Sequence, residues 1–471
     1  MGGTESIFVP PIRHNSIFLN FIHIENIGIV FALCIHERIR LKGGGTMVQS
    51  LLISQILQVV KKDVFPALGC TEPIAVAYAS AVARKHFNGI AENILIEVSK
   101  NIYKNGKSVI IPKANEAGLD LAGALGFLSG NPNSGFMVLE NIDEEAIKAA
   151  HEMISSGKVK VEYLKASPDV YVKVKVSGSD NVVEVELKDS HTHIERITVN
   201  GQVTYEAEEA MSESVSLDFL KGLTLKDLRQ ACETIPLEEL EFIEDGIEMN
   251  KKAAEVGMNE PMGLNMGYTY LKLLRKNKLG NDASMKARIL TAAACDVRMS
   301  GGNCPVMTSG GSGNQGLGVV LPIVVVAEEQ GIEREKLLRA VFFGHLVNRY
   351  VKTFTGKLSG MCGCAIAAGI GASAGITWML GGDDDQISGA CINMLANLTG
   401  MLCDGAKETC ALKLSTSASE AVISAYLVNE GLVIRKNVGI IGDTVEDTIR
   451  NVGILARKGF NHIDDLMMDM I

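Results

Sequence analysis

The chain has 471 residues, 47% of them hydrophobic, and its Lys+Arg count of 45 against an Asp+Glu count of 55 leaves a net charge of −10. That length allows two or three domains and a sizeable core, while the acidic balance, with no dense Lys/Arg patch, excludes a general nucleic-acid binder. The 10 cysteines lack the dense, regular spacing of a small secreted disulfide scaffold, so they point to a reducing cytoplasm and to metal-binding or catalytic thiols.

Residues 1–46 show no clean period, carry the adjacent Pro10 and Pro11, and end in a glycine run before Met47. Met47 opens a regular amphipathic helix and is the expected natural start. Lys42-Gly43-Gly44-Gly45 is what a purine-rich ribosome-binding site would give if translated. Residues 1–46 are then an N-terminal extension, either a mis-assigned start or a genuine, poorly ordered arm. The apolar stretch 17–35 is interrupted by Asn20, His23, Glu25 and Asn26, and the small-residue run 365–381 is short for a span, so no membrane association is expected. No secretory signal is read at the N-terminus.

F-P-A-L-G-C-T-E-P at 65–73 places Cys70, Thr71 and Glu72 on a loop bracketed by prolines, ahead of a helical pattern over 74–87. A thiol and backbone N–H groups at a helix start can meet an anion; Cys70 can equally be a small buried residue. From residue 94 the pattern changes. Strands are predicted at 94–99 and 108–112, joined by a turn at 104–107. Helices follow at 117–128 and 144–156. Alternating strands come next at 158–164, 170–176, 182–187 and 194–199, the last leading through Asn200-Gly201 into Q-V-T-Y. Between them, His191, Thr192 and His193 interrupt the strands with polar side chains that could face a ligand or be incidental surface residues.

From Leu217 onward helices dominate, at Leu225–Thr234, 237–256, 282–299 and 338–352. The segment 300–316, S-G-G-N-C-P-V-M-T-S-G-G-S-G-N-Q-G, is too rich in Gly, Ser and Asn for a regular element. Its bare amides and hydroxyls can cradle a carboxylate or phosphate. The apolar run that follows argues for a pocket wall rather than a linker. The fold class expected is α+β: a mainly helical catalytic domain over 47–90 and 207–471, with glycine-rich helices around a cluster site. A smaller inserted α+β domain with an antiparallel meander spans 91–206.

Residues 358–413 hold Cys362, Cys364, Cys391, Cys403 and Cys410, half of the 10 cysteines, among glycine and alanine. Thiolates suit soft metals and iron–sulfur clusters. Cys403 and Cys410 could share a helix face or flank a turn at Asp404-Gly405, with Cys362 or Cys364 as a third ligand. Zinc and inert buried thiols stay open on spacing alone. A cluster held by three cysteines would leave one iron free as a Lewis acid, which makes an elimination feasible.

The chain resembles the L-cysteine desulfidase family, which is related to the alpha domain of iron–sulfur-dependent L-serine dehydratases. The resemblance rests on G-C-T-E-P at 69–73, G-G-S-G-N-Q-G at 310–316, L-S-G-M-C at 358–362, M-L-C-D-G-A-K at 401–407, C-A-L-K at 410–413 and S-T-S-A-S at 415–419. It covers residues 47–471. It implies a cytoplasmic [4Fe-4S] enzyme that converts L-cysteine to pyruvate, ammonia and sulfide without pyridoxal phosphate. Carried onto this sequence, it makes Cys362, Cys403 and Cys410 the cluster ligands, with Cys364 and Cys391 as packing residues. Cys70, with Glu72, supplies the base, or Cys70 is a labile fourth ligand. Thr71, Ser312, Gly313, Asn314, Gln315 and, more weakly, His191, Thr192 and His193 meet the small amino-acid substrate. A homo-oligomer is expected. Rival readings are an L-serine dehydratase or related lyase of the same mechanism, a pyridoxal phosphate β-lyase lacking a recognisable Schiff-base lysine, and a thiol-based redox or metal sensor.

Overall fold

The structure, a computed structural model, describes residues 45–207, 217–356 and 358–471. The expected N-terminal extension, up to residue 44, lies outside the described residues. Helix α1, Gly45–Asp63, is followed by the two-residue strand β1, Pro66–Ala67, and by α2, Thr71–His86. Alanines make α2 slim enough to be buried along most of its length. Its Ile74, Val76 and Val82 share one core with the large sheet that comes next in the chain.

That sheet has six strands in the order β5-β2-β6-β7-β8-β9. They are β2 (Asn93–Ser99), β5 (Val159–Leu164), β6 (Tyr171–Ser177), β7 (Val182–Lys188), β8 (Ile194–Val199) and β9 (Gln202–Glu206). Alternation explains their facing. Val172, Val174 and Val176 are buried, as are Val183, Val185 and Leu187, while the residues between them form cross-strand pairs such as Lys175–Glu184 at 2.9 Å. Each fully buried Val or Leu contributes about 1.5–3 kcal/mol.

Strands β6 to β9 form the expected antiparallel meander, but β5 does not belong to it. It runs parallel to β2, in register Ile94↔Val159 to Ser99↔Leu164. A parallel pair needs a crossover, and three helices supply it: α3 (Lys100–Gly106), α4 (Leu119–Ser129) and α5 (Glu144–Ser155). The predicted turn at 104–107 is therefore mostly helix. Ser99 starts it, its hydroxyl accepting from the Ile102 N–H at 3.4 Å. The predicted strand at 108–112 shrinks to β3, Ile110–Ile111, which pairs with β4, Glu116–Ala117, outside the large sheet.

The rest is helical: α6 (Asp218–Lys221), α7 (Leu225–Thr234), α8 (Phe242–Asn259), α9 (Met266–Arg275) and α10 (Ala283–Met299) precede the short strand β10 (Val306–Met307). The predicted helix 237–256 is split: a turn of 3-10 helix at Leu237–Leu240 follows Pro236, and α8 begins at Phe242. Then come α11 (Gly313–Gln330), α12 (Arg334–Thr355), α13 (Gly369–Met379), α14 (Asp384–Leu398), α15 (Cys410–Asn429), α16 (Val445–Ile454) and α17 (Phe460–Met468).

Helix α11 is the axis of this part. Every residue from Gly313 to Ala327 is buried, as suits a helix that is apolar all round. The apolar run after the glycine-rich loop, which the sequence left open between a buried helix and a buried strand, is thus a core helix. Helices α12 and α13 cross so closely that a Cβ at Gly371 would lie 2.3 Å from the Gly344 carbonyl oxygen. Among the described residues, no helix is long and apolar enough to cross a membrane.

Candidate active site

The cysteine-bearing segments are joined by backbone. Met361 and Leu402 form an isolated antiparallel bridge. Within it the Cys362 N–H donates to the Met401 carbonyl at 2.9 Å and the Cys403 N–H donates to the Gly360 carbonyl at 2.8 Å. This pairing brings Cys362 beside Cys403. Cys410 follows at the first turn of α15, after a turn through Gly405 at φ +99°. A Cβ at Gly405 would lie 2.4 Å from the Lys104 carbonyl oxygen, so the turn needs glycine on two counts. Lys104 forms a buried ion pair with Asp464 of α17, which fixes that wall.

Just past Cys362 the chain makes one turn of π-helix, Cys364–Ala368, before α13. Such turns leave carbonyls under-bonded. Here the Ser417 hydroxyl of the S-T-S-A-S motif donates to the Cys364 carbonyl at 3.0 Å. The thiols influence one another. A hydrogen bond from Cys364 draws the Cys362 thiol down to about 7 against the effect of burial, with help from the Ala365 N–H and the Lys413 ammonium. Cys364 is raised in turn by that bond and by burial. Burial raises Cys403, and burial together with the charge of Cys403 pushes Cys410 up to about 12. All nine cysteines among the described residues are free. No three His, Cys, Asp or Glu side chains among those residues sit close enough to cage a single metal ion.

A second seam brings the proline-bracketed loop to the glycine-rich loop. Strand β1 pairs antiparallel with β10, Pro66↔Met307 and Ala67↔Val306. The Thr308 N–H donates to the Phe65 carbonyl at 2.9 Å, and the Gly311 N–H to the Asp63 carbonyl at 3.1 Å. Cys70 then stands at the N-terminus of α2. Its thiol donates to Glu72 Oε2 at 2.8 Å, and the Asn105 amide donates to Glu72 Oε1 at 3.1 Å. His191 Nε2 lies 4.0 Å from Glu72 Oε1, its ring 6.3 Å from that of Phe136. Burial pushes the Cys70 thiol well up, and the Glu72 charge adds to this. For Glu72, burial alone would raise the carboxyl, but His191, the bonds from Cys70 and Asn105, and Arg298 outweigh it, and the net shift is downward. The resting pair is a thiol beside a carboxylate.

Helix α12 fixes the glycine-rich loop from below. His345 Nδ1 is 2.8 Å from the Ser309 hydroxyl, the Asn348 amide donates to that hydroxyl at 2.7 Å, and the Lys352 ammonium donates to the Gly310 carbonyl at 2.6 Å. His345 is fully enclosed, and burial holds its imidazole down at about 3.

These parts enclose one cavity of about 1480 Å³. Cys70, Thr71 and Glu72 line it, as do Ser312, Asn314, Gln315, His191, Thr192, His193, Cys362, Cys403 and Cys410. Gly313 is buried in the wall beneath Arg298 and does not line it. His193 stands at the rim, its side chain 52% exposed and turned towards Glu195 at 3.8 Å. Of the two cysteines expected to be packing residues, Cys391 is sealed in the core, whereas Cys364 also faces the cavity.

Several lining residues had no site role in the sequence reading: Asn105, Arg298, Arg349 and Lys352. Asn105 sat in a segment read as a turn. Arg298 offered one signal, a lone cation near the end of the small-residue stretch T-A-A-A-C-D-V-R-M. Its Nη1 donates to Asn314 Oδ1 at 2.9 Å.

A helical body carrying a mixed sheet, with clustered thiols, a buried thiol–carboxylate pair and a Gly/Ser/Asn loop around one polar cavity, defines a protein with the means for small-molecule chemistry. The family model for the serine dehydratase alpha chain matches residues 133–469, and the chain belongs to that family. It is 53% identical over 417 residues to a UPF0597 protein of Clostridium botulinum (strain Okra / Type B1), covering 88% of this chain and 96% of that one. A UPF0597 protein of Caldanaerobacter subterraneus subsp. tengcongensis is 41% identical over 427 residues, covering 90% and 99%. One of Clostridioides difficile (strain 630) is 37% identical over 421 residues, covering 88% and 98%.

Proposed function

We propose that the chain is an iron–sulfur-dependent lyase that breaks the bond from Cβ to its substituent in a small L-amino acid, with L-cysteine as substrate and pyruvate, ammonia and sulfide as products. One observation carries this reading: Cys362, Cys403 and Cys410 line the same cavity as the Cys70–Glu72 pair and the loop at 310–315. Membership of the serine dehydratase alpha chain family supports a lyase.

The residues fit a [4Fe-4S] cluster. The donors are soft thiols with no hard ligand among them, they border a cavity rather than a close-packed core, and backbone pairing holds two of them side by side. Cys362, Cys403 and Cys410 would hold the cluster, which would supply Lewis acidity for the leaving atom.

The chain's own groups do the rest. The Cys70–Glu72 pair takes the Cα proton. The electron pair left on Cα forms the Cα–Cβ double bond as the Cβ–S bond breaks, so sulfide leaves and 2-aminoacrylate remains. That enamine takes a proton on Cβ to become the imine, and water hydrolyses it to pyruvate and ammonium. Ser312, Asn314 and Gln315 orient the substrate, and Thr71 and His191 close the cavity around Glu72.

The family match favours a second reading, L-serine with water as the leaving group. Both need the same Cα deprotonation and differ only in the atom carried by Cβ. Anaerobic reconstitution with iron and sulfide, followed by parallel assays of pyruvate from L-cysteine and L-serine and of sulfide from L-cysteine, separates them. Absence of turnover with L-cysteine removes the first reading, and absence with both removes the lyase.

A further inference from the structure

We propose that Arg298 is the anchor for the α-carboxylate of the substrate, a role that rests on the amino-acid reading above. Arg298 is 3% exposed and lines the cavity near the end of α10. A buried guanidinium is normally matched by a carboxylate, because desolvating the charge is costly. Among the described residues no Asp or Glu lies within ion-pair distance of it. Among the described residues its one hydrogen bond runs from Nη1 to the neutral amide oxygen of Asn314 at 2.9 Å, and its Nε has no partner there.

The surroundings hold this group in place for a ligand. A Cβ at Gly313 would lie 2.3 Å from Arg298 Nε, so the glycine of G-G-S-G-N-Q-G lets the guanidinium lie flat against the start of α11. Asn314, the next residue, fixes one end of the fork. The remaining N–H groups match the planar, two-point geometry of a carboxylate.

Two further buried oxygens without partners belong to lining residues, Oε1 of Gln315 and Oδ1 of Asn105. They are acceptors and suit an ammonium. Asn105 also touches Glu72, so an ammonium there would sit next to the pair assigned to proton removal. A guanidinium with no carboxylate in ion-pair contact among the described residues, and two amide oxygens without a donor among them, are the complement of an α-amino acid.

The test uses L-alanine, an amino acid that has no β-leaving group, and ethylamine, the same molecule without its carboxylate. Binding of each to full-length, anaerobically purified protein is followed by ligand-observed NMR, for the wild type, Arg298→Gln and Arg298→Lys. The wild type is expected to bind L-alanine about 10- to 100-fold more tightly than ethylamine. Arg298→Gln should bring L-alanine down to the level of ethylamine and leave ethylamine unchanged. If circular dichroism shows that Arg298→Gln does not fold, Arg298→Lys decides, since one ammonium cannot reproduce the two-point contact and L-alanine alone should weaken severalfold. A variant that binds L-alanine as the wild type does overturns the anchor and leaves the amino-acid reading standing, as does a wild type with equal affinity for the two probes. A wild type that binds neither L-alanine nor L-serine overturns both.

Discussion

The Cys70 thiol lies 2.8 Å from Glu72 Oε2, and the other carboxylate oxygen is held by Asn105 at 3.1 Å. Two groups that both prefer a proton thus share one, and the environment decides its place. Burial raises the thiol, while His191, the bonds from Cys70 and Asn105, and Arg298 lower the carboxyl, so the proton rests on sulfur.

If this pair is the base, Glu72→Gln and Cys70→Ser should each lower pyruvate release about 100-fold or more. Both changes are nearly isosteric, so the melting temperature should move little. A Glu72→Gln enzyme within a few-fold of the wild type would remove the pair from the chemistry.

Iron and acid-labile sulfide per chain, measured after anaerobic reconstitution, should fall to a small fraction in Cys362→Ser, Cys403→Ser and Cys410→Ser. Cys391→Ala should keep both while losing about 1–3 kcal/mol of stability, because Cys391 is sealed in the core. Cys364→Ser should also keep its iron. Loss of iron there, with retention in Cys362→Ser, would transfer the third ligand to Cys364.

Gly405→Ala should cost about 1–3 kcal/mol in denaturant unfolding and reduce iron retention together with it. The turn sits at φ +99°, and the new methyl would meet the Lys104 carbonyl oxygen. That carbonyl cannot withdraw easily, because the Lys104 side chain is paired with buried Asp464. An alanine variant with unchanged stability and iron content would mean that the turn between Cys403 and Cys410 does not depend on this glycine.

His345 gives a pH dependence with a definite sign. Its native value of about 3 is depressed from 6.5 by burial against the uncharged Ser309 and Asn348. The unfolded chain takes up a proton below about 6.5 that the native state refuses. The stabilisation is therefore complete above that pH and declines as pH falls from 6.5 towards 3, at up to about 1.4 kcal/mol per pH unit. In urea unfolding at pH 7.5, 6 and 5, the wild type should lose its advantage over His345→Gln as the pH drops. A gap that stays constant over that range would contradict a neutral, buried imidazole.

Short-range chemistry made much of this protein readable in one dimension. Val172, Val174, Val176 and Val183, Val185, Leu187 announce their strands, because a two-residue period can bury only one face. The apolar run after Gly316 announces a buried element for a similar reason, since no polar stripe is left to face water, and leaves helix or strand to the fold. The thiols of 362–410 and the Gly/Ser/Asn loop of 308–316 stand out by composition alone. What composition cannot carry is pairing between distant segments. Nothing local sets β5 parallel to β2, and the crossover through α3, α4 and α5 is decided by which faces can be buried together. The cavity depends on two such seams, β1 with β10 and Met361 with Leu402, the first tying Phe65 to Thr308 across 243 residues of chain. Arg298 is the sharpest case. In the sequence it is one cation near a helix end, and only burial beside Asn314, with no carboxylate in ion-pair contact among the described residues, turns it into a group that asks for an anion. Desolvation is a property of the folded surroundings, so the residue types were fixed by the chain and their charges acquired meaning only in three dimensions.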